Sequence, residues 1–279
     1  MLLIPGRSDG SSYLSAVGGY LADAGDFMSG YVPTALRKSL PTWAPQDTPG
    51  HFLKYADEQT VVAVAAVDQA IQADRASLGD LHRWAIVAAP RFVGRLGGVA
   101  TLERFGRGGG PAISPHLIPQ HSLHSASGAL SILLASRCPN LGVGGGADAV
   151  SEGLLTALTL PAGSEARGLW LVCTAWNPEP VLNLQGECTN APICYAAALA
   201  MQSAVEGEAR GRLQLQVTPR DREPRSADAE VTSPSVAELC AAIDGRSQSS
   251  DAGQFHWQLN WGATLTLDLR PPATQRLAA

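Results

Sequence analysis

Ile113-Ser-Pro-His-Leu-Ile-Pro119, Leu123-His-Ser-Ala-Ser-Gly-Ala-Leu-Ser-Ile132 and Pro139-Asn-Leu-Gly-Val143 are the runs whose reading decides the fold of this chain. The residues from Pro111 to Pro119 lead into a helix over about 122–136, and 141–146 suits a short strand. Glycines at Gly142, Gly144, Gly145 and Gly146 then make a close-packed turn into a helix of small and apolar residues over about 148–160.

Working outward, Trp84-Ala-Ile-Val-Ala-Ala89 is a continuous apolar run ended by Pro90, which suits a buried strand. Before it, Asp57 can cap a helix whose Val61, Val62, Val64, Val67 and Ile71 occupy more than one face. Such a helix is sandwiched between layers. Residues 94–110 form a glycine-rich crossover with a short helix near 99–105. Further strands are expected at 169–173 and 193–201. The alternation predicts an α/β layered domain with a mainly parallel sheet. The first 50 residues show only an amphipathic stretch at 13–21 and no clear opening strand. In the polar tail, Ser233 and Pro234 should start a helix striped by Val236, Leu239, Cys240 and Ile243 and stopped by Gly245. Residues 256–269 alternate apolar and polar, as two short antiparallel strands would.

The chain has 279 residues, a net charge of −5, and is 45% hydrophobic and 16% charged. That balance is globular and provides no basic field for nucleic acid. No apolar run is long enough to span a membrane, and the first residues lack the pattern of a signal peptide, so a cytoplasmic protein is expected. The cysteines Cys138, Cys173, Cys188, Cys194 and Cys240 are odd in number and irregularly spaced, with no set that would complete a zinc site.

The three opening runs resemble the β-ketoacyl synthases. In that family a Ser-Pro-aromatic-x-Ile-Pro run precedes a helix with Asn-x-Ala-Ala-Gly-x-Ile-Ser-Ile, and Gly-Pro-Asn opens the strand to the nucleophile. Order and spacing agree over about 45 residues, and looser likeness extends over roughly 52–201. The resemblance implies a thiolase-like α/β layered fold, mainly its N-terminal half. Residues 1–210 would form that domain, with 1–50 poorly assigned, and 211–279 a divergent extension with one helix and a strand pair.

The same register places Ala147 where the family has its acyl-carrying cysteine. An alanine cannot hold a thioester. The family's His-Gly-Thr-Gly-Thr and Gly-His motifs are missing too. The chain therefore resembles the non-catalytic chain-length-factor type of type II polyketide and aryl-polyene systems, in which His124-to-Ile132 has its counterpart. The resemblance implies pairing with a catalytic β-ketoacyl synthase, as heterodimer or heterotetramer, contact with an acyl carrier protein through that complex, and a share in the acyl tunnel. Pro115, His116, Ile118, Gln120, His124, Leu130, Leu134 and Gly144 are the residues it places at the subunit contact or tunnel.

Other readings remain open. A register shift would put Ser125 at the nucleophile, and Ser125 or Cys138 could serve a small acyltransferase or thioesterase. A homodimeric acyl-binding scaffold is a third reading. Gly142-x-Gly-Gly-Gly-Ala147 fits a dinucleotide fingerprint only superficially, because no room is left for the preceding strand, so no cofactor is expected. His116, His121 and His124 cluster without a completing ligand, so no metal is expected. Arg104 and Arg107 beside Gly108–Gly110 suit a solvated loop better than a phosphopantetheine phosphate.

Overall fold

A computed structural model describes residues 11–22, 34–73, 75–115, 117–160, 165–183, 187–202, 211–217, 235–245, 254–258 and 263–268. Its strands are β1 Ser11–Ala22, β2 Trp84–Pro90, β3 Asn140–Gly142, β4 Gly168–Asn177, β5 Ile193–Gln202, β6 Gly211–Val217, β7 Gln254–Gln258 and β8 Ala263–Asp268. The helices are α1 Thr34–Lys38, α2 Glu58–Ala73, α3 Arg75–Leu78, α4 Arg95–Gly108, α5 Leu117–His121, α6 Ser125–Leu133, α7 Ala149–Thr159 and α8 Val236–Gly245.

All eight strands join one sheet in the order β3-β2-β4-β5-β1-β6-β8-β7. Only β2 pairs in parallel, with β3 and β4; every other pairing is antiparallel. The expectation of a mainly parallel sheet is therefore corrected. The βαβ units cover only the β3-β2-β4 corner, and β5 returns antiparallel beside β4.

Apolar runs rather than alternation mark the central strands because both faces are covered. Trp84, Ile86, Trp170, Val172, Ala196 and Ala198 face α2 and α6, while Ala85, Val87, Leu171, Cys173, Ala197 and Leu199 face α7 and α8. The small side chains of β5 meet Ala63, Ala66 and Ala70 of α2, all fully buried. That alanine-on-alanine layer lets the helix lie close to the sheet. Trp84 and Trp170 supply the bulk below it, with ring centroids 5.5 Å apart. The Asp57 carboxylate accepts the Gln59 N–H at 2.9 Å, which is the expected cap of α2.

Several boundaries differ from expectation. β1 is an opening strand, paired with β5 and β6, in the stretch expected to be merely amphipathic. Gly18 and Gly19 interrupt its pattern, and backbone pairing on both sides defines it instead. α4 is longer than the short helix expected near 99–105, the helix expected over 122–136 is observed as the shorter α6, and α5 is an additional helix in the stretch leading into it. β3 stops at Gly142 because the next residues enter the turn. α8 is capped by Ser235, whose hydroxyl accepts the Glu238 N–H at 3.1 Å, while Glu238 accepts the Ser235 N–H at 2.7 Å. That reciprocal box, readable as Ser-x-x-Glu, replaces the cap expected at Ser233, which lies outside the described residues. The expected antiparallel pair is present as β7 and β8, and β6 adds an unexpected strand between β1 and β8. The sheet thus runs through the boundary expected at residue 210.

Candidate functional site

The turn from β3 to α7 sits at the carboxyl ends of the parallel strands, where open α/β sheets present their sites. Gly144 and Gly145 have φ of +80° and +92°, which side-chain-bearing residues rarely adopt. A Cβ on Gly144 would stand 2.8 Å from the Ala149 Cα, so glycine is also required by the close approach of α7. Ala147 follows on the exposed crest of this turn, one residue before the α7 cap. Its side chain is a methyl group.

Burial raises three of the cysteine thiols. Burial pushes the half-buried Cys138 thiol up, partly countered by Arg83. Cys173, fully buried, is pushed up to about 12 by burial, and Cys194 well above its ordinary value by the same cause. A raised thiol forms the attacking thiolate less readily.

Beside this turn, a cavity of about 280 Å³ opens between the start of α2 and the α5–α6 segment. Phe52, Leu53, Ala56 and Thr60 line one wall, and Pro119, Gln120, Ser122, His124, Ser125, Gly128, Ala129 and Ile132 the other. Ser125, Gly128, Ala129 and Ile132 stand at i, i+3, i+4 and i+7, so one face of α6 forms the wall. Thr60 Oγ1 donates to Ser125 Oγ at 3.2 Å, and Ser125 Oγ donates to the Ser122 carbonyl at 2.7 Å. The Ser125 proton is therefore committed to the backbone. His124 Nδ1 lies 3.1 Å from Ser127 Oγ, and His121 Nδ1 lies 3.2 Å from the buried Asp57 carboxylate. Neither imidazole is hydrogen-bonded to Ser125.

The residues singled out from sequence scatter. Gln120 and His124 line the cavity; Gly144 lies in the neighbouring turn; Pro115 is exposed ahead of α5 and outside the lining. Ile118 belongs to α5 by its backbone, and His116 lies outside the described residues. Leu130 and Leu134 are 0% and 3% exposed in the chain's own core, on the side opposite the cavity, and do not line it. Phe52, Leu53, Ala56, Thr60 and Ile132 were missed. For Ile132 the signal was present in the helical spacing from Ser125; Phe52, Leu53, Ala56 and Thr60 are distant in sequence and carry none.

Around the cavity the surface is apolar. Ile132 is 55% exposed, Tyr55 62%, Leu123 38% and Leu141 37%. The Leu123 carbonyl lies against the Cα of Gly142, which links the cavity rim to β3, and β3 is the edge strand of the sheet.

A charged cluster braces the turn from the far side. Phe92 has φ +50°, and its N–H donates to the Gly145 carbonyl at 3.2 Å. The Arg91 and Arg95 guanidinium groups stand 5.3 and 5.2 Å from its ring, and both reach Glu179, at 3.3 and 3.9 Å. Burial raises the Glu179 carboxyl above its ordinary 4.5, with Arg91 and Arg95 opposing. A carboxyl raised on folding contributes stability that is present below the unfolded value and lost as pH rises through the folded one. Glu179→Gln is therefore expected to remove this group's loss of stability as pH rises above about 4.5, so that the wild-type-minus-variant difference in urea unfolding falls with pH across pH 4–8.

No protein-family model and no curated protein sequence matches the chain. Solved structures do. The chain is similar to the ishigamide ketosynthase/chain length factor, with 15% identity and a TM-score of 0.58, over 93% of this chain and 99% of that one. It is similar to a ketosynthase (ApeO) in complex with its chain length factor (ApeC) from Xenorhabdus doucetiae, with 16% identity and a TM-score of 0.53, over 92% and 99%. A type II polyketide synthase assembly, AntDE:AntF, matches at 16% identity and a TM-score of 0.50, over 75% and 70%. The chain has the thiolase-like ketosynthase fold.

Proposed function

We propose that this chain is a non-catalytic, chain-length-factor-type subunit that pairs with a catalytic β-ketoacyl synthase and contributes one wall of its acyl tunnel. The observation that carries the reading is Ala147 on the β3–α7 turn. A fold that elsewhere holds an acyl chain on a thiol presents a methyl group there, beside a cavity rimmed by exposed apolar residues. Edge strand β3 and the exposed Leu141, Leu123 and Ile132 make a surface suited to a subunit contact. The cavity between α2 and α6 is roomy enough for part of an acyl chain, with Gln120 and His124 on its wall. Partners in this reading are the ketosynthase and, through it, an acyl carrier protein. An acyltransferase using Ser125 or Cys138 is disfavoured by the committed Ser125 proton and the raised Cys138 thiol.

The test is intact mass spectrometry of the purified chain after exposure to acyl and malonyl thioesters. No covalent adduct is expected. Ala147→Cys should add a reactive thiol yet no condensation in the isolated chain, because a thiolate alone cannot promote decarboxylation or stabilise the oxyanion. An acyl adduct on wild-type Ser125 or Cys138, or condensation by the Ala147→Cys chain alone, overturns the reading.

A further inference from the structure

Gln254-Phe-His-Trp-Gln258 reads alike in both directions: amide, aromatic, imidazole, aromatic, amide. Among the described residues this run, β7, is the last strand of the sheet, with β8 on one side and an open edge on the other. Its register with β8 is unbroken from Gln254↔Asp268 to Gln258↔Thr264, so no bulge turns it away. It contains no proline, lysine, arginine, aspartate or glutamate. An open strand edge offers a row of unpaired N–H and C=O groups, and charge, proline, a bulge or shortness ordinarily keep other strands off it. β3, at the opposite edge, has three residues; β7 has five and none of the other protections.

The pattern of β7 says which strand fits it. Residues two apart share a face of a strand, so Phe255 and Trp257 belong to one face and Gln254, His256 and Gln258 to the other. The register carries that division inward: Leu267 and Leu265 of β8 stand opposite Phe255 and Trp257, and Leu213 and Leu215 of β6 stand opposite those leucines. An added strand must keep the division, because a slip of one residue moves its whole apolar set to the other face. A second β7, antiparallel about a two-fold axis that passes through His256 normal to the sheet, keeps it at every position. Gln254 then stands opposite Gln258, Phe255 opposite Trp257, and His256 opposite its own copy. Cross-strand aromatic pairs are favourable and like charges directly opposite are not. At neutral pH no such charge pair arises here, although the whole chain carries −5. An isologous contact of this kind closes on itself as a dimer.

We infer that β7 is a self-pairing edge, through which a second copy of this chain continues the sheet. The inference does not rest on the proposed function. β3 and β7 end the sheet on opposite sides, seven strand spacings or roughly 34 Å apart, so a ketosynthase at β3 leaves the β7 edge accessible. Together the two contacts give an assembly with two copies of each chain.

The experiment is sedimentation velocity of the purified full-length chain over a wide range of concentration, where wild type should pass from monomer to dimer. Gln254→Lys with Gln258→Lys sets like charges opposite each other at both ends of the paired strands and should weaken the dimer about 10-fold or more. Gln254→Lys with Gln258→Glu sets opposite charges there and should restore it at low salt. Opposed residues of an antiparallel pair have Cα atoms about 4.5–5.5 Å apart, within reach of a disulfide. His256→Cys should therefore cross-link, under copper–phenanthroline and oxygen, to a dimer that wild type does not give; the two thiols lose two protons and two electrons to the oxidant. Melting curves accompany each variant, and where a charged pair unfolds the chain the His256→Cys cross-link decides. A wild type that stays monomeric throughout overturns the inference. So does a dimer weakened equally by both charged variants, or a His256→Cys chain that stays uncross-linked. Loss of ketosynthase pairing in the double-lysine variant would assign β7 to that contact and overturn it as well. A wild type that dimerises through β7 but binds no ketosynthase upholds the inference and counts against the proposed function alone.

Discussion

Leu130→Asp is expected to leave no folded protein. Leu130 is fully buried between α6 and the sheet, in the cluster that holds Trp84 and Trp170. Removing a buried leucine costs about 2–5 kcal/mol, and an unpaired carboxylate in the same place costs several more. The sum is comparable with the whole stability of an ordinary domain, about 5–15 kcal/mol. Loss of the native circular dichroism and of a cooperative melt would show it. The variant therefore says nothing about subunit pairing. Gly144→Asp shares the defect, since it strains a positive-φ turn and strikes the backbone of α7.

Ile132→Asp combined with Leu141→Asp is expected to fold and to lose its partner. Both side chains are exposed, at 55% and 37%, so neither substitution buries a charge in the free chain. At a subunit contact each would place an unpaired carboxylate in an apolar centre, with a loss of about 2–5 kcal/mol apiece. That amounts to a drop in affinity of at least about 30-fold for one such loss. The measurement is the heteromer fraction by size exclusion beside a melting curve for the variant. A double variant that melts like wild type and still pairs fully would remove β3 and the α6 rim from the contact.

The central strands and their covering helices were legible because burial on both faces leaves continuous apolar runs, as at 84–89 and 169–173. The capping Asp57 was legible because side-chain capping is local. The opening strand was not, because two glycines break its pattern and its definition comes from β5 and β6, far along the chain. The tail was half legible: β7 and β8 alternate clearly, while β6 joins β1 across some 200 residues. At the site, the Ala147 turn follows from its glycines. The cavity does not, since one wall comes from Phe52 to Thr60 and the other from α6. Around α6, Ile132 shares the Ser125 face that lines the cavity, and Leu130 and Leu134 share the opposite, buried one.

The most direct measurement co-expresses the wild-type chain with the catalytic ketosynthase of its own biosynthetic system and determines subunit composition by size exclusion and native mass. The account predicts a stable complex containing both chains, in which condensation needs the ketosynthase cysteine and the products change when the Ile132/Leu141 double variant replaces wild type. A wild-type chain that stays monomeric beside a ketosynthase fully active on its own would contradict it.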